Sequence, residues 1–213
     1  MDTHYPIVTS KEKINRVTQS IHTKLEPPLL QTLYTLYISD TEGMEILMLN
    51  YLKLCYRYGL SINLAKNNDT IIAIDTLLRK VRLEVHRFYG FVRFKEIKTN
   101  TFYATIEPDH AILPLLSGHF TKRFSNQNFI IHDVRRHTAL VYKPQETYFY
   151  YLTSEESTQL CNLSFNDPFE SLFQTFYTST TIPERVNLTL QKRRMPLRYW
   201  KHLIESPTPN TLS

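Results

Sequence analysis

Hydrophobic positions along the 213 residues change period twice, and the changes divide the chain into three zones. Over residues 9–86 they recur at helical spacing. Ile14, Val17 and Ile21 predict a first helix, with Thr9 and Glu12 placed as a capping box. Pro27-Pro28 predicts the start of a second, whose apolar face is Leu29, Leu30, Leu33, Tyr34 and Tyr37. Asp40 or Thr41 is the expected cap of a third helix, which runs to Tyr58 and stops at Gly59. A fourth begins near Asp69, with Ile71, Ile74, Leu78, Val81 and Val85 inward and Arg79, Lys80 and Arg82 outward.

Over residues 87–152 the period becomes two. Phe88, Gly90, Val92 and Phe94 alternate with Tyr89, Phe91 and Arg93, and Phe102, Ala104 and Ile106 with Tyr103 and Thr105. Lys98-Thr99-Asn100 reads as the hairpin turn between these two strands. A helix over 109–124, capped by Asp109, follows, with Ile112, Leu116, Phe120 and Phe124 on one side, an early Pro114 and a weakening Gly118. Three more strands are expected at 129–132, 138–142 and 148–152, the last two joined by a turn at Lys143-Pro144-Gln145-Glu146.

Residues 153–205 return to helix. Asp167, Pro168 and Glu170 form a start signal, and Phe169, Leu172, Phe173, Phe176 and Tyr177 a buried face. Pro196 predicts a further helix start after Met195. The pattern predicts one α+β domain over residues 1–205, an antiparallel sheet of about five strands between helical zones. Residues 206–213 read as a flexible Pro/Thr-rich tail.

Charge sharpens this picture. From Ile182 to His202 six cations (Arg185, Lys192, Arg193, Arg194, Arg198 and Lys201) face one acid, Glu184, so this segment carries the whole net charge of +5. Such focusing points to an anionic partner or to a solvated basic helix. The 4 glycines leave little room for a Gly-rich phosphate loop, and 2 cysteines cannot build a disulfide framework or a four-thiolate metal site. The opening MDTHYPIV has no basic region followed by an apolar run, and Ile46–Tyr58 is too short and too polar to span a bilayer. A cytoplasmic protein with reduced thiols, no membrane association and no cofactor is expected.

Candidate chemistry gathers at the junctions between zones. Glu84 and Arg87 are three apart on one helical face, next to His86, a set suited to a phosphate or base edge, or to an ordinary helix terminus. Arg93 beside Tyr89 and Phe91 resembles a stacking platform, or a sheet face covered by helices. His119 and Arg123 share a helix face. Asp133 with Arg136 reads as a carboxylate aimed by an arginine, for general-base work or for a structural ion pair. Lys192, Arg193, Arg194, Arg198 and Lys201 can reach phosphates, while Tyr199 and Trp200 either stack on bases or pack in the core. The sequence holds no metal-ligand motif; His86, His119 and His132 are the histidines that the fold would have to bring together to make one.

Three ordered stretches carry a resemblance. They are Glu84-Val-His-Arg-Phe-Tyr-Gly-Phe-Val-Arg-Phe94; Tyr103–Asp109 through His119–Phe124 to Ile131-His-Asp133 and Arg136; and Ile182–Asn187, Gln191 and Met195–Lys201. In that order, over residues 9–205, they resemble a bacterial family of uncharacterised proteins described as acting in DNA metabolism or repair. Its members are commonly encoded beside a radical-SAM DNA modification or repair protein, and related domains are fused to uracil-DNA-glycosylase-like domains. The chain departs from the family pattern in lacking a leading Phe-Asp-Gly or Tyr-Asp-Gly segment and in carrying Phe173 near a usual tryptophan. The resemblance implies a DNA-related role beside such a partner and supplies no reaction. Three readings follow: a DNA-binding accessory subunit using Arg87, Arg93, Arg123, Arg136 and the basic segment; an enzyme on DNA or a nucleobase, with Glu84, His86 and Asp133 as catalytic candidates; or an adaptor that docks its basic segment on an acidic protein.

Overall fold

A computed structural model describes residues 10–25, 27–162, 175–176, 179–181 and 187–203. Thr9, Asp167–Glu170, Phe173, Arg185 and the 206–213 tail lie outside the described residues. The chain divides into two compact units, residues 1–81 and 82–213.

The first unit is helical: α1 (Lys11–Lys24), α2 (Pro28–Ile38), α3 (Met44–Tyr58), a 3-10 turn (Leu60–Leu64) and the first half of α4 (Asp69–Phe91). Pro28 opens α2, where a missing N–H costs nothing. Gly43, not Asp40 or Thr41, precedes α3, at φ 77°, and Gly59 ends it at φ 69°, conformations that favour a residue without Cβ. Asn68 caps α4, its Oδ1 accepting the N–H groups of Thr70 (3.0 Å) and Ile71 (3.3 Å). Leu29, Leu33, Leu36, Met44, Tyr51, Cys55, Ile71 and Ile74 form the core. Of the expected α1 stripe only Ile21 is buried; Ile14 and Val17 are exposed, as are Tyr34 and Tyr37 on α2.

The second unit is built on five strands, β1 (Lys95–Lys98), β2 (Thr101–Ile106), β3 (Asn128–Asp133), β4 (Thr138–Lys143) and β5 (Glu146–Tyr151), paired in that order. The sheet is mixed, which corrects the antiparallel expectation. β2 and β3 run parallel, because α5 (Leu113–Arg123) carries the chain back across the sheet between them. The other pairings are antiparallel. After β5 come α6 (Ser154–Asn162), α7 (Leu188–Arg194) and a second 3-10 turn (Leu197–His202), which begins after Pro196 as expected. Phe176, expected on a buried face, is exposed.

The expected strand over 88–94 does not form. The stripe of buried residues Leu78, Val81 and Val85 continues through Phe88 to Val92 at helical spacing, and α4 runs on to Phe91. Phe88, Tyr89, Phe91 and Phe94, with Val92 among them, satisfy either period. Tyr89 and Phe91 therefore lie on a helix and Arg93 in the link to β1, so the three share no sheet face. Phe94 instead enters an aromatic cluster with Phe120, Phe124 and Phe129 at centroid distances of 5.1–5.7 Å. No helix among the described residues is long and apolar enough to cross a membrane.

Candidate functional site

Parallel strands place their carboxyl ends side by side, and the loops leaving them gather polar groups there. Here β2 ends at Ile106 and β3 at Asp133, directly paired. Two buried carboxylates anchor this end of the second unit.

Glu84, 3% exposed on α4, is the first. Its Oε1 accepts the Asp109 N–H at 2.7 Å and the Tyr199 hydroxyl at 2.6 Å, and its Oε2 accepts the His110 N–H at 2.9 Å. These bonds tie the loop after β2 to α4. Asp109 does not cap α5: its carboxylate pairs with Arg198, and α5 starts at Leu113 after Ile112 without a side-chain cap. Glu84 is met by backbone and tyrosine, not by Arg87. Burial, then the bond to Glu84, raises the Tyr199 hydroxyl well above the ordinary tyrosine range.

Asp133, fully buried at the end of β3, is the second. Its Oδ1 accepts the N–H groups of Arg135 (3.1 Å) and Arg136 (3.2 Å), and its Oδ2 pairs with the Arg136 Nη1 at 3.2 Å. Burial pushes its carboxyl up and the Arg136 guanidinium pulls it back, with a net rise. Arg136 also donates to the carbonyls of Pro108 (3.1 Å) and Asp109 (2.7 Å), clamping the loops after β2 and β3 together.

The basic segment divides. Arg198 pairs with Asp109, donates to the Tyr199 hydroxyl at 3.1 Å and lies 4.7 Å from the Tyr199 ring centroid. Lys201 pairs with Glu107. Tyr199 and Trp200 are buried, 2% and 7% exposed, so the core alternative holds for both; the Trp200 indole N–H donates to the Met195 carbonyl at 2.7 Å. Lys192, Arg193 and Arg194 are exposed on α7. They form no ion pair among the described residues.

The remaining candidates are dispersed. His86 is exposed, its ring centroid 6.5 Å from that of Tyr89 in an edge-on arrangement, and Arg87 is half-buried on the same helix. Arg93 donates to the Gly90 carbonyl at 2.5 Å. His119 stacks on Tyr89 at 4.2 Å, and Arg123 is exposed at the end of α5. His132 is buried between the Tyr103 hydroxyl (2.8 Å) and Ser157 Oγ (3.0 Å), and burial lowers its pKa. The histidine trio is not assembled, and among the described residues no three His, Cys, Asp or Glu side chains converge as metal ligands.

Sequence reasoning selected Glu84, Asp133 and Arg136 but missed what joins them. The expected capping role of Asp109 gives way to its bonds with Glu84, Arg136 and Arg198, and the core position of Tyr199 brings its hydroxyl to Glu84. Glu107, which the resemblance includes within Tyr103–Asp109 without a role, holds Lys201 and lies 3.7 Å from His202 Nε2. No curated protein and no solved structure matches the chain. A family model matches residues 42–205, which include both buried carboxylates, the two loops they hold and α7, and by that match the chain belongs to a domain family of unknown function, DUF4130.

Proposed function

We propose that this protein is a DNA-binding accessory subunit that holds DNA by its phosphates and presents it to a radical-SAM or glycosylase-type partner. The observation that carries the reading is the run Lys192-Arg193-Arg194, three exposed cations on α7 without carboxylate partners among the described residues. Successive helical residues point about 100° apart. The three charges therefore fan around the helix end, a layout that meets several phosphates and reads no single base edge. The resemblance to DNA-metabolism proteins supports the same reading and supplies the class of partner.

The enzymatic reading has less support. Glu84 and Asp133 each already accept three hydrogen bonds and are buried, which suits holding loops better than moving protons. Fluorescence anisotropy with labelled single- and double-stranded DNA tests the proposal. Lys192/Arg193/Arg194→Ala is expected to weaken binding, and Arg198→Ala to leave it nearly unchanged, because Arg198 already holds Asp109. Absence of binding at low salt would remove the DNA-holding role from the chain.

A further inference from the structure

Helix α3 buries apolar residues on one side and exposes others, among Glu45, Asn50, Lys53 and Arg57, on the other. Its inward side, with Met44, Tyr51 and Cys55, is buried in the core of the first unit. Its outward side presents Ile46, Leu49 and Tyr56, which are 67%, 52% and 44% exposed. A helix at a solvated surface ordinarily turns polar residues outward. Lys53 and Arg57 stand on this outward side, one turn apart. Neither makes an ion pair among the described residues.

Leu49, Leu52, Lys53, Tyr56, Arg57 and Asn68 line an open groove of about 940 Å³, and no carboxylate contributes to it. The groove is held in shape from both sides. The Tyr56 hydroxyl donates to Ser20 Oγ at 2.9 Å, and Asn68 is fixed by its capping bonds to α4.

We propose that this face docks an acidic amphipathic helix of a partner protein. Leu49, Leu52 and Tyr56 would take its apolar stripe, and Lys53 and Arg57 would pair with carboxylates one turn apart on it. Two other occupants fit less well. Single-stranded nucleic acid is gripped by stacking successive bases on several aromatics, and this groove offers one aromatic among leucines. A second copy packed α3 to α3 would set Lys53 and Arg57 against their own counterparts, with Glu45 the only carboxylate on the helix. The inference concerns the first unit and does not depend on the DNA reading.

The test uses the full chain and two fluorescein-labelled peptides of about 18 residues, long enough to form helix. Both carry leucines at heptad a and d positions; one has glutamate and the other lysine at the flanking positions. The wild type is expected to bind the acidic peptide and not the basic one. K53E/R57E should weaken the acidic peptide by about tenfold or more and gain the basic one. Leu49→Asp should abolish binding of the acidic peptide. All substitutions are at exposed positions, and unchanged thermal melts would confirm that the variants fold. No binding of the acidic peptide, equal binding of both, or indifference to K53E/R57E overturns the proposal. So does an oligothymidine that binds the wild type and is lost in K53E/R57E, which would assign the groove to nucleic acid. A concentration-dependent mass abolished by Leu49→Asp overturns it in favour of a second copy.

Discussion

Replacing Glu84 by glutamine keeps the shape of the side chain and turns one acceptor oxygen into a donor. If the remaining oxygen takes the place of Oε1, it still receives the Asp109 N–H and the Tyr199 hydroxyl. The new amide nitrogen then faces the His110 N–H, which lies 2.9 Å from the present Oε2. Two donors oppose each other in a site that is 3% exposed. The opposite orientation sets the amide nitrogen against the Asp109 N–H instead, while the Tyr199 hydroxyl can accept from it and turn its proton to Asp109 Oδ2, so one N–H is left without an acceptor either way. Losing a hydrogen bond to a charged acceptor costs about 1.5–3 kcal/mol, and a buried N–H without an acceptor costs about 1–3 kcal/mol more. E84Q should therefore destabilise the second unit by about 3–5 kcal/mol. Trp200 reports this unit directly, being the single tryptophan in the chain and 7% exposed. With a urea dependence of about 2 kcal/mol/M, the midpoint of its emission change should fall by roughly 2 M. Tyr199→Phe, which leaves Glu84 its two backbone donors, should cost about 1–2 kcal/mol. The double variant should depart from the sum of the singles, since both substitutions act on hydrogen bonds of the one Glu84 side chain. A midpoint shift below about 0.5 M for E84Q would refute the argument that this carboxylate holds the loop after β2.

The other predictions concern charge. Arg136→Met removes the guanidinium from buried Asp133 and from two carbonyls, and should lower the stability of the second unit by about 3–5 kcal/mol in the same urea assay. Arg198→Ala should cost about 1 kcal/mol, because its pair with Asp109 is partly exposed, while leaving the salt dependence of DNA binding unchanged. Burial lowers the pKa of His132 and of His202, partly countered at His202 by Glu107, from the ordinary 6.5. The unfolded chain then binds more protons below that value, so stability should fall as pH drops from 7 towards 5. His132→Gln should flatten the profile, measured by urea midpoints across the pH series. Asp133 works in the opposite sense at lower pH, since its carboxyl is raised from 3.8 and the folded state takes up the proton first.

Local chemistry made parts of this fold legible. Pro28, Gly59 and Asp69 mark helix ends through constraints that act within a few residues. Strands β3 to β5 follow from alternation and from a turn in which Gln145 takes φ 73°. The extension of α4 through Phe91 was illegible, because a run rich in aromatics satisfies a period of two as well as one of 3.6. The parallel pairing of β2 with β3 depends on which way α5 returns the chain, and no window of sequence contains that. The site shows the same split. Asp133 and Arg136 are three apart and could be paired by eye, whereas Glu84 meets Tyr199 across 115 positions. The basic segment was legible as charge. Its division into Arg198 and Lys201, which pair, and Lys192, Arg193 and Arg194, which have no carboxylate partner among the described residues, required the positions of Glu107 and Asp109.

The most direct test of the account is the slope of log Kobs against log salt for double-stranded DNA, compared between the wild type and Lys192/Arg193/Arg194→Ala. Each phosphate neutralised contributes about −0.9 to that slope. Loss of three phosphate contacts should make the slope shallower by about 2–3, with Trp200 emission and urea midpoint unchanged. A variant that binds DNA with the wild-type slope would contradict the assignment of α7 as the element that grips DNA.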